Sequence, residues 1–177
     1  LFQLPFGSFI PSDSLPDDDI RVQVNTPRTL KQSLKMNSTR RNLLRELDLL
    51  IIDEVSMLRA DILDAIDTVL RLVRRRRNAA FGGVQILFIG DLLQLPPVIK
   101  RDEMELLSPW YPDLYFFNAL ALIDNPPAYI ELEKIYRQSD KVFICLLNNL
   151  RENRLSKKDI SLLNRYYNPS FDPESSD

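Results

Sequence analysis

The sequence of 177 residues contains no histidine and a single cysteine, Cys145. Without histidine, imidazole-based zinc sites, Ser-His and Cys-His nucleophile pairs and histidine general bases are excluded. One cysteine cannot form an internal disulfide, and this usage is typical of a reducing compartment. Because Cys145 lies among apolar residues at helical spacing, we expect it to be a small buried residue rather than a nucleophile.

Glycine and long apolar runs are also scarce. Four glycines are present, where average composition predicts about a dozen. The apolar runs are short and interrupted by charge, so no segment is predicted to span a bilayer. These absences leave an ordinary globular composition with 45% hydrophobic and 27% charged residues.

Charge is nearly balanced overall but clustered locally. Twenty-three basic and 25 acidic residues give a net charge of −2, so no global field attracts nucleic acid. Basic residues cluster at Lys31, Lys35, Arg40, Arg41 and Arg45, and again in the unbroken run from Arg74 to Arg77. The usual explanation for such a run is a solvated helix end, where it also complements the helix dipole.

The pattern of apolar residues predicts an α/β domain with a parallel sheet. Residues 1–36 are rich in proline and indicate loops, followed by a short helix near 39–46 capped by Asn37 or Ser38. Two short apolar runs, 47–52 and 84–89, are typical of strands buried on both faces. Between them, residues 59–76 show helical spacing. Strand, helix and strand together form a right-handed βαβ unit.

Further along the chain the pattern predicts smaller elements. A short helix is expected over 114–122 and a third strand over 128–132, after the Pro126-Pro127 break. An amphipathic helix follows near 142–150. Ser156 and Asp159 resemble a capping box that begins a last helix at 157–166.

Acidic residues follow both predicted strands. Asp53 and Glu54 come directly after the first strand, and Asp91 and Gln94 follow the second. Because ligands of parallel sheets bind at the carboxyl ends of the strands, these side chains are candidates for a hydrated Mg²⁺ and an activated water. The alternative is that the acids only cap the next helices. The pattern as a whole favours an NTPase core.

Three segments resemble ordered motifs of the PIF helicases, which are RecD-like, superfamily 1 DNA helicases that move 5′ to 3′ on single strands. The segments are Asp-Glu-Val-Ser-Met (53–57), Gly-Asp-Leu-Leu-Gln-Leu-Pro-Pro-Val (90–98) and Leu-Glu-Lys-Ile-Tyr-Arg-Gln (132–138). Residues 1–7 are similar to the end of a DNA-contacting motif of the same family. The resemblance implies a RecA-like P-loop NTPase fold, ATP and Mg²⁺ as cofactors, and work in DNA repair, recombination and telomere maintenance.

The resemblance also implies a role for each matching residue. Asp53 would belong to the Mg²⁺ shell and Glu54 would activate the water, while Gln94 would sense the γ-phosphate. Arg137 would be the arginine finger, and Asp91 would join the nucleotide site. Five apolar residues would line the DNA groove, although they could equally belong to the core: Phe2, Pro5, Pro96, Pro97 and Val98.

One departure from the family concerns activity. No Gly-Lys pair occurs in the 177 residues, so the phosphate-binding loop Gly-x-x-x-x-Gly-Lys-Ser/Thr is missing. We therefore expect the chain to be the later two-thirds of a first motor domain, with a loop-rich segment at 1–47, the Walker B to arginine-finger part at 48–167 and a linker at 168–177. The chain alone is expected to be inactive.

The implied partners are single-stranded DNA, duplex junctions and a second RecA-like domain, without a membrane. The expected location is the cytoplasm, with the nucleoid in a bacterium, or the nucleus or mitochondrion in a eukaryote. Two alternatives stay open. A metal-dependent nuclease could use Asp53, Glu54 and Asp91 to hold two ions. A non-catalytic module could bind single-stranded DNA through the basic cluster, although no aromatic ladder accompanies it.

Overall fold

The computed structural model describes residues 1–13, 22–134, 136 and 138–170. The chain divides into two compact units, Leu1–Tyr129 and Ile130–Asp177, and each is described by itself. Within the described ranges, no helix is long and apolar enough to cross a membrane.

The first unit begins with two short strands and two helices. Strand β1 (Ser8–Phe9) pairs in parallel with β2 (Val24–Asn25). Helix α1 (Pro27–Ser33) follows, and it was not predicted within the segment 1–36, which the sequence indicates to be loop-rich. The missed signal is local: Thr26 and Thr29 cap each other through side chain and backbone, and Pro27 suits the first turn.

Helix α2 (Ser38–Glu46) confirms the predicted short helix and its cap. The Asn37 side-chain oxygen accepts a hydrogen bond of 2.9 Å from the backbone N–H of Arg40. Leu44 is fully buried on its inner face.

A parallel strand pair with a crossover helix forms the centre of the unit, as the sequence predicts. Strands β3 (Leu49–Ile52) and β4 (Gln85–Phe88) pair in register, with Leu49 opposite Gln85. Helix α3 (Ala60–Arg74) connects them and buries Leu63, Ile66 and Leu70 in the main core. The predicted βαβ unit and the α/β class are therefore confirmed.

The prediction that both strands are buried on both faces is wrong. Leu50 is 9% exposed and belongs to the core, but its neighbours Leu49 and Ile51 are 43% and 54% exposed. In β4, Leu87 is 44% exposed, and Ile89 just beyond the strand is 45% exposed. Successive side chains of a strand point to opposite faces. The core therefore covers one face of this pair and leaves the other face open.

Three buried aspartates of α3 accept hydrogen bonds from other segments of the chain. Asp61, Asp64 and Asp67 are 0%, 5% and 8% exposed. Their carboxylates accept backbone N–H bonds from distant residues: Asp61 from Phe9, Asp67 from Phe81, and Asp64 from Leu120 and Ala121. Each aspartate therefore links α3 to a loop or strand that is far away in the sequence.

The same bonds explain why residues 114–122 do not form the predicted helix. Two 3₁₀ turns, Phe116–Asn118 and Leu120–Leu122, are present instead. Asp113 accepts the N–H of Tyr115, and Asp64 accepts the N–H groups of Leu120 and Ala121, which an α-helix would use for its own hydrogen bonds. A further helix, α4 (Arg101–Leu107), lies before this segment and was not predicted.

The predicted third strand over 128–132 is also wrong. These residues have no strand geometry, and Tyr129, Ile130 and Leu132 are 82–89% exposed. A strand is stabilised by a neighbour with which it exchanges hydrogen bonds, and no described strand pairs with these residues, so their β propensity alone is not sufficient.

Two helices lie in the described part of the second unit, and both were predicted. Helix α5 (Lys141–Arg151) begins at Asp140, whose carboxylate accepts N–H bonds from the first turn. Helix α6 (Lys157–Arg165) begins with the predicted capping box of Ser156 and Asp159. Cys145 on α5 is exposed, which corrects its expected burial. Helical spacing placed it near apolar neighbours, but Leu146 is the residue of α5 that packs inward.

Candidate nucleotide site

The carboxyl ends of β3 and β4 lie side by side because the strands are parallel and in register. Their hydrogen-bond ladder continues past both strands. The N–H of Ile89 donates to the Ile52 carbonyl at 2.9 Å, and the N–H of Val55 donates to the Ile89 carbonyl at 3.0 Å. The two predicted acidic segments, which begin at Asp53 and Gly90, are therefore neighbours on one edge of the sheet.

Asp53 and Glu54 form a tight corner at the end of β3. The Asp53 Oδ1 atom accepts a hydrogen bond of 2.9 Å from the Glu54 N–H. Glu54 has a left-handed backbone, with φ 51° and ψ 42°, and a 3₁₀ turn (Val55–Met57) follows it. A side chain in this conformation costs about 1 kcal/mol, which the surrounding hydrogen bonds must offset. The corner leaves both carboxylates exposed to solvent, in an arrangement that suits water and a hydrated cation.

Gly90 allows the end of β4 to approach this corner closely. A Cβ atom at residue 90 would lie 3.0 Å from the backbone nitrogen of Val55 and 3.3 Å from that of Ser56. These atoms belong to backbone and cannot rotate away. A side chain at residue 90 would therefore press the two strand ends apart by a few tenths of an ångström, and glycine avoids this.

Asp91 organises the loop after β4 and brings Gln94 to it. Its Oδ1 atom accepts the N–H of Leu93 at 3.0 Å, and its carbonyl accepts the N–H of Gln94 at 3.0 Å. The Gln94 amide nitrogen lies 3.5 Å from Asp91 Oδ2. This contact orients the amide so that its oxygen remains available as an acceptor on the exposed edge.

The remaining predicted residues have different positions. Arg137 lies outside the described residues. Pro96, Pro97 and Val98 follow the Gln94 loop in irregular backbone, and Val98 is 80% exposed. Phe2 and Pro5 are half-buried, and Phe2 packs against the main core. The DNA-contacting role of these five apolar residues stays a prediction.

Sequence reasoning did not single out Ser56, which lies two residues after Glu54. Ser56 is 1% exposed, and its Oγ atom has no hydrogen-bond partner among the described residues. A buried hydroxyl usually has a partner, so this one marks the corner as a place where the packing alone does not satisfy every polar group. Its only signal in the sequence was a polar residue between Val55 and Met57.

The donors at this edge fit a hydrated Mg²⁺ better than a two-metal centre. Among the residues described, no three carboxylate or thiol side chains converge to hold a metal ion. A two-metal site needs such a group, whereas Mg²⁺ in nucleotide sites keeps several waters and uses one or two carboxylates. Asp53, exposed at the strand end, is the carboxylate that could supply this contact.

Comparison with known sequences gives a consistent result. The profile of the family described as PIF1-like helicase matches residues 17–159. The chain is similar to the ATP-dependent DNA helicase PIF1 of Homo sapiens, with 40% identity over 107 residues, 60% of this chain and 15% of the relative. It is also similar to the ATP-dependent DNA helicase RRM3 of Saccharomyces cerevisiae, with 33% identity over 144 residues, 78% of this chain and 19% of the relative.

Solved structures agree over nearly the whole chain. Bacteroides Pif1 bound to ssDNA matches with a TM-score of 0.81 and 39% identity, covering 99% of this chain and 36% of that one. A structure of two coordinating Pif1 helicases at forked dsDNA matches with a TM-score of 0.79 and 39% identity, covering 96% of this chain and 37% of that one. The chain thus spans about a third of these structures and less than a fifth of the curated relatives above. Its fold is RecA-like, and the chain belongs to the PIF1-like helicase family.

Proposed function

We propose that this chain is part of an ATP-dependent DNA helicase, and that the β3–β4 edge is the Walker B side of its ATP site. The observation that carries the proposal is the hydrogen-bond ladder that continues past both strands. It holds the Asp53-Glu54 corner beside the Asp91–Gln94 loop on a rigid sheet edge. Positioning of this kind is what phosphoryl transfer requires of a protein.

Each side chain has a role that its position supports. Asp53 would hold the water shell of Mg²⁺, which supplies charge neutralisation at the phosphates when it is bound with ATP. Glu54, exposed at the corner with a left-handed backbone, would orient and deprotonate the attacking water. Gln94 would donate to or accept from the γ-phosphate region, with Asp91 orienting its amide.

The proposal also covers two parts that this chain does not contain, together with further roles for residues of the chain itself. The phosphate-binding loop is not encoded in the 177 residues, and a second RecA-like domain would close the ATP site. Arg137 would supply the arginine finger. The boundaries at residues 47/48 and 167/168, the DNA contacts of Phe2, Pro5 and residues 96–98, and the DNA substrate also belong to the proposal.

The test uses the intact protein that contains this chain. Glu54→Gln should reduce DNA-stimulated ATP hydrolysis by at least about a hundredfold, because general-base catalysis contributes about 10² to 10⁴. Nucleotide binding should be retained. The matched control is Glu105→Gln, an exposed glutamate of α4 that pairs only with Arg101 in the described structure. Normal hydrolysis by the Glu54 variant would show that the proposed role of the corner is wrong.

The chain alone supplies a second test. Without the phosphate-binding loop it should neither bind ATP tightly nor hydrolyse it, which equilibrium binding and phosphate release can measure. Turnover by the purified 177-residue chain that disappears in Glu54→Gln would contradict this part of the proposal.

A further inference from the structure

The two basic clusters of the sequence meet in one groove, which we name the basic groove. It lies between the α1–α2 region and the C-terminal end of α3. Its cationic lining consists of Lys31, Arg41, Arg45, Arg75, Arg76 and Arg77. Among the residues that the structure describes, no aspartate or glutamate lines it. We propose that the basic groove binds the phosphate backbone of duplex DNA, independently of base sequence.

The cations of the groove are available for a ligand. All six are exposed. Within the described part of the chain, no carboxylate pairs with Arg75, Arg76 or Arg77, and the closest engagement of the others is a 3.3 Å hydrogen bond from Arg45 to a carbonyl. Six like charges around one groove repel each other, and a polyanion relieves this repulsion.

The arginines near the end of α3 differ in their contacts. Some are bonded within the fold and others are exposed, so the run from Arg74 to Arg77 is not simply a solvated helix end. Arg71 pairs with Asp67, and its Nη1 atom donates to the Arg77 carbonyl. Arg74 donates to the carbonyls of Gly82, Leu44, Arg45 and Leu47. Arg74 therefore joins the end of α2 to α3, and Arg71 bonds within α3 and to the residues just after it. The next three arginines are exposed at the end of the helix.

Arg75 has a backbone conformation that is unfavourable for a residue with a side chain. It is the C-cap of α3 with φ 58° and ψ 30°, a left-handed conformation in which glycine is the usual residue. The arginine therefore adds a positive charge at a cost of about 1 kcal/mol. This gives a clean test, because replacement by glycine removes the charge without removing a structural contact.

The basic groove is distant from the nucleotide site. Helix α3 begins just after the Asp53-Glu54 corner and ends at the groove, and its 15 residues span about 22 Å. Changes in the groove should therefore leave the chemistry of the ATP site unaltered.

The lining favours a duplex backbone over a single strand. Single-strand sites stack bases on aromatic side chains, and no aromatic residue in the described ranges lines the basic groove. Its floor is aliphatic, with Leu34, Met36, Leu72 and Val73. Arginine and lysine side chains commonly contact the phosphates of DNA, and such contacts carry no sequence information. The choice of DNA as the polyanion rests on the proposed function.

The experiment measures binding of the 177-residue chain to a labelled 25-base-pair duplex by fluorescence anisotropy, without nucleotide, over a series of salt concentrations. Six phosphate contacts predict a slope of log K against log salt of about −5. The variant Arg75→Gly/Arg76→Gln/Arg77→Gln should weaken the slope by roughly 2 to 3 and the affinity by about tenfold or more. Its thermal stability should not fall.

A charge-matched control separates the groove from net charge. Lys141→Gln/Lys157→Gln/Lys158→Gln removes three exposed cations of α5 and α6 and should leave the duplex affinity within about twofold. An equal loss in this control, or an unchanged slope in the groove variant, would overturn the proposal. Equally tight binding of a single strand, of phosphatidylserine vesicles or of polyglutamate through the same arginines would overturn the assignment to duplex DNA.

The outcome is independent of the ATP site. Glu54→Gln should bind the duplex like the unaltered chain, so duplex binding can hold even if the role of Glu54 fails. Conversely, the groove variant of the intact protein could hydrolyse ATP normally and show an unchanged salt dependence of duplex binding. That result would contradict the proposed role of the basic groove and leave the proposed ATP site unaffected.

Discussion

The hydroxyl of Tyr111 donates a hydrogen bond of 2.7 Å to Oδ2 of Asp64, although 47 residues separate them in the sequence. Both side chains are buried, with exposures of 1% and 5%. Burial raises the pKa of Asp64, and its hydrogen bonds from Ala121, Tyr111 and Leu120 only partly counter this. The pair joins α3 to the segment after α4, so it stabilises the packing of this segment on the core.

Tyr111→Phe is expected to lower the free energy of unfolding by about 1.5 to 3 kcal/mol, because a buried hydrogen bond to a carboxylate is lost. Urea denaturation measures this change. Tyr115→Phe is the control, since its hydroxyl makes no hydrogen bond among the described residues. Equal effects of the two substitutions would show that the bond to Asp64 does not stabilise the fold.

Gly90→Ala is expected to destabilise the chain by about 1 to 3 kcal/mol, since its methyl group would press on the Val55 backbone. In the intact protein it should also reduce ATP hydrolysis by displacing Glu54. Gly83→Ala is the comparison. Its left-handed backbone strains an alanine, but the nearest atom belongs to the mobile end of the Arg76 side chain, so this variant measures backbone strain without a fixed steric contact. Wild-type stability and hydrolysis in Gly90→Ala would contradict the close approach.

Arg74→Gln should lower stability by about 2 to 4 kcal/mol, because several carbonyls at the end of α2 lose their donor together. Arg76→Gln, two residues later and exposed, should change it by less than about 0.5 kcal/mol. Thermal and urea unfolding of both variants would check this contrast. A stable Arg74 variant would mean that water replaces the guanidinium there.

The environment of Glu103 predicts that the free energy of unfolding depends measurably on pH. Burial alone would raise its pKa, but hydrogen bonds from Arg59, the Lys100 N–H and Ser8 outweigh it, so the pKa is lowered. The folded chain therefore favours the carboxylate more than the unfolded chain does. This stabilisation is complete above the unfolded pKa of about 4.3 and is lost as the pH falls through the lower folded value.

The difference in unfolding free energy between the unaltered chain and Glu103→Gln should accordingly be larger at pH 6 than at pH 3. The control is Glu105→Gln, whose side chain is 70% exposed and should contribute less than about 1 kcal/mol. A difference that does not change with pH would exclude the proposed stabilisation.

Ser56→Ala should raise the free energy of unfolding by about 1 kcal/mol, because it removes a buried hydroxyl without a described partner. Ser8→Ala is the matched comparison. Its equally buried hydroxyl donates to Glu103 and accepts from Arg59, so this variant should lose stability. A loss in Ser56→Ala as well would show that its hydroxyl has a partner in solution, such as a bound water.

The sequence predicted the elements whose signals are local and periodic. Helix α3, the caps at Asn37 and Ser156, and the parallel strands are confirmed because hydrophobic spacing and capping side chains act within a few residues. The edge that joins the Asp53 and Asp91 segments also followed from the sequence, since parallel strands end on the same side.

Other features depend on distant partners and could not be predicted in this way. The 114–122 segment forms 3₁₀ turns because Asp64, more than 50 residues earlier, accepts its N–H groups. The open face of β3 and the exposed position of Cys145 depend on which neighbours cover them. The union of two basic clusters in one groove likewise follows from the packing of α2 on α3.

The open face of the strand pair has a thermodynamic consequence. Leu49, Ile51, Leu87 and Ile89 are already 43–54% exposed in the folded chain. The urea dependence of stability and the heat-capacity change of unfolding both scale with the area that unfolding newly exposes. These side chains therefore contribute to both quantities only about half as much as fully buried side chains of the same kind would. The chain should accordingly respond to urea with a shallow slope and have a flat stability curve with temperature for its length.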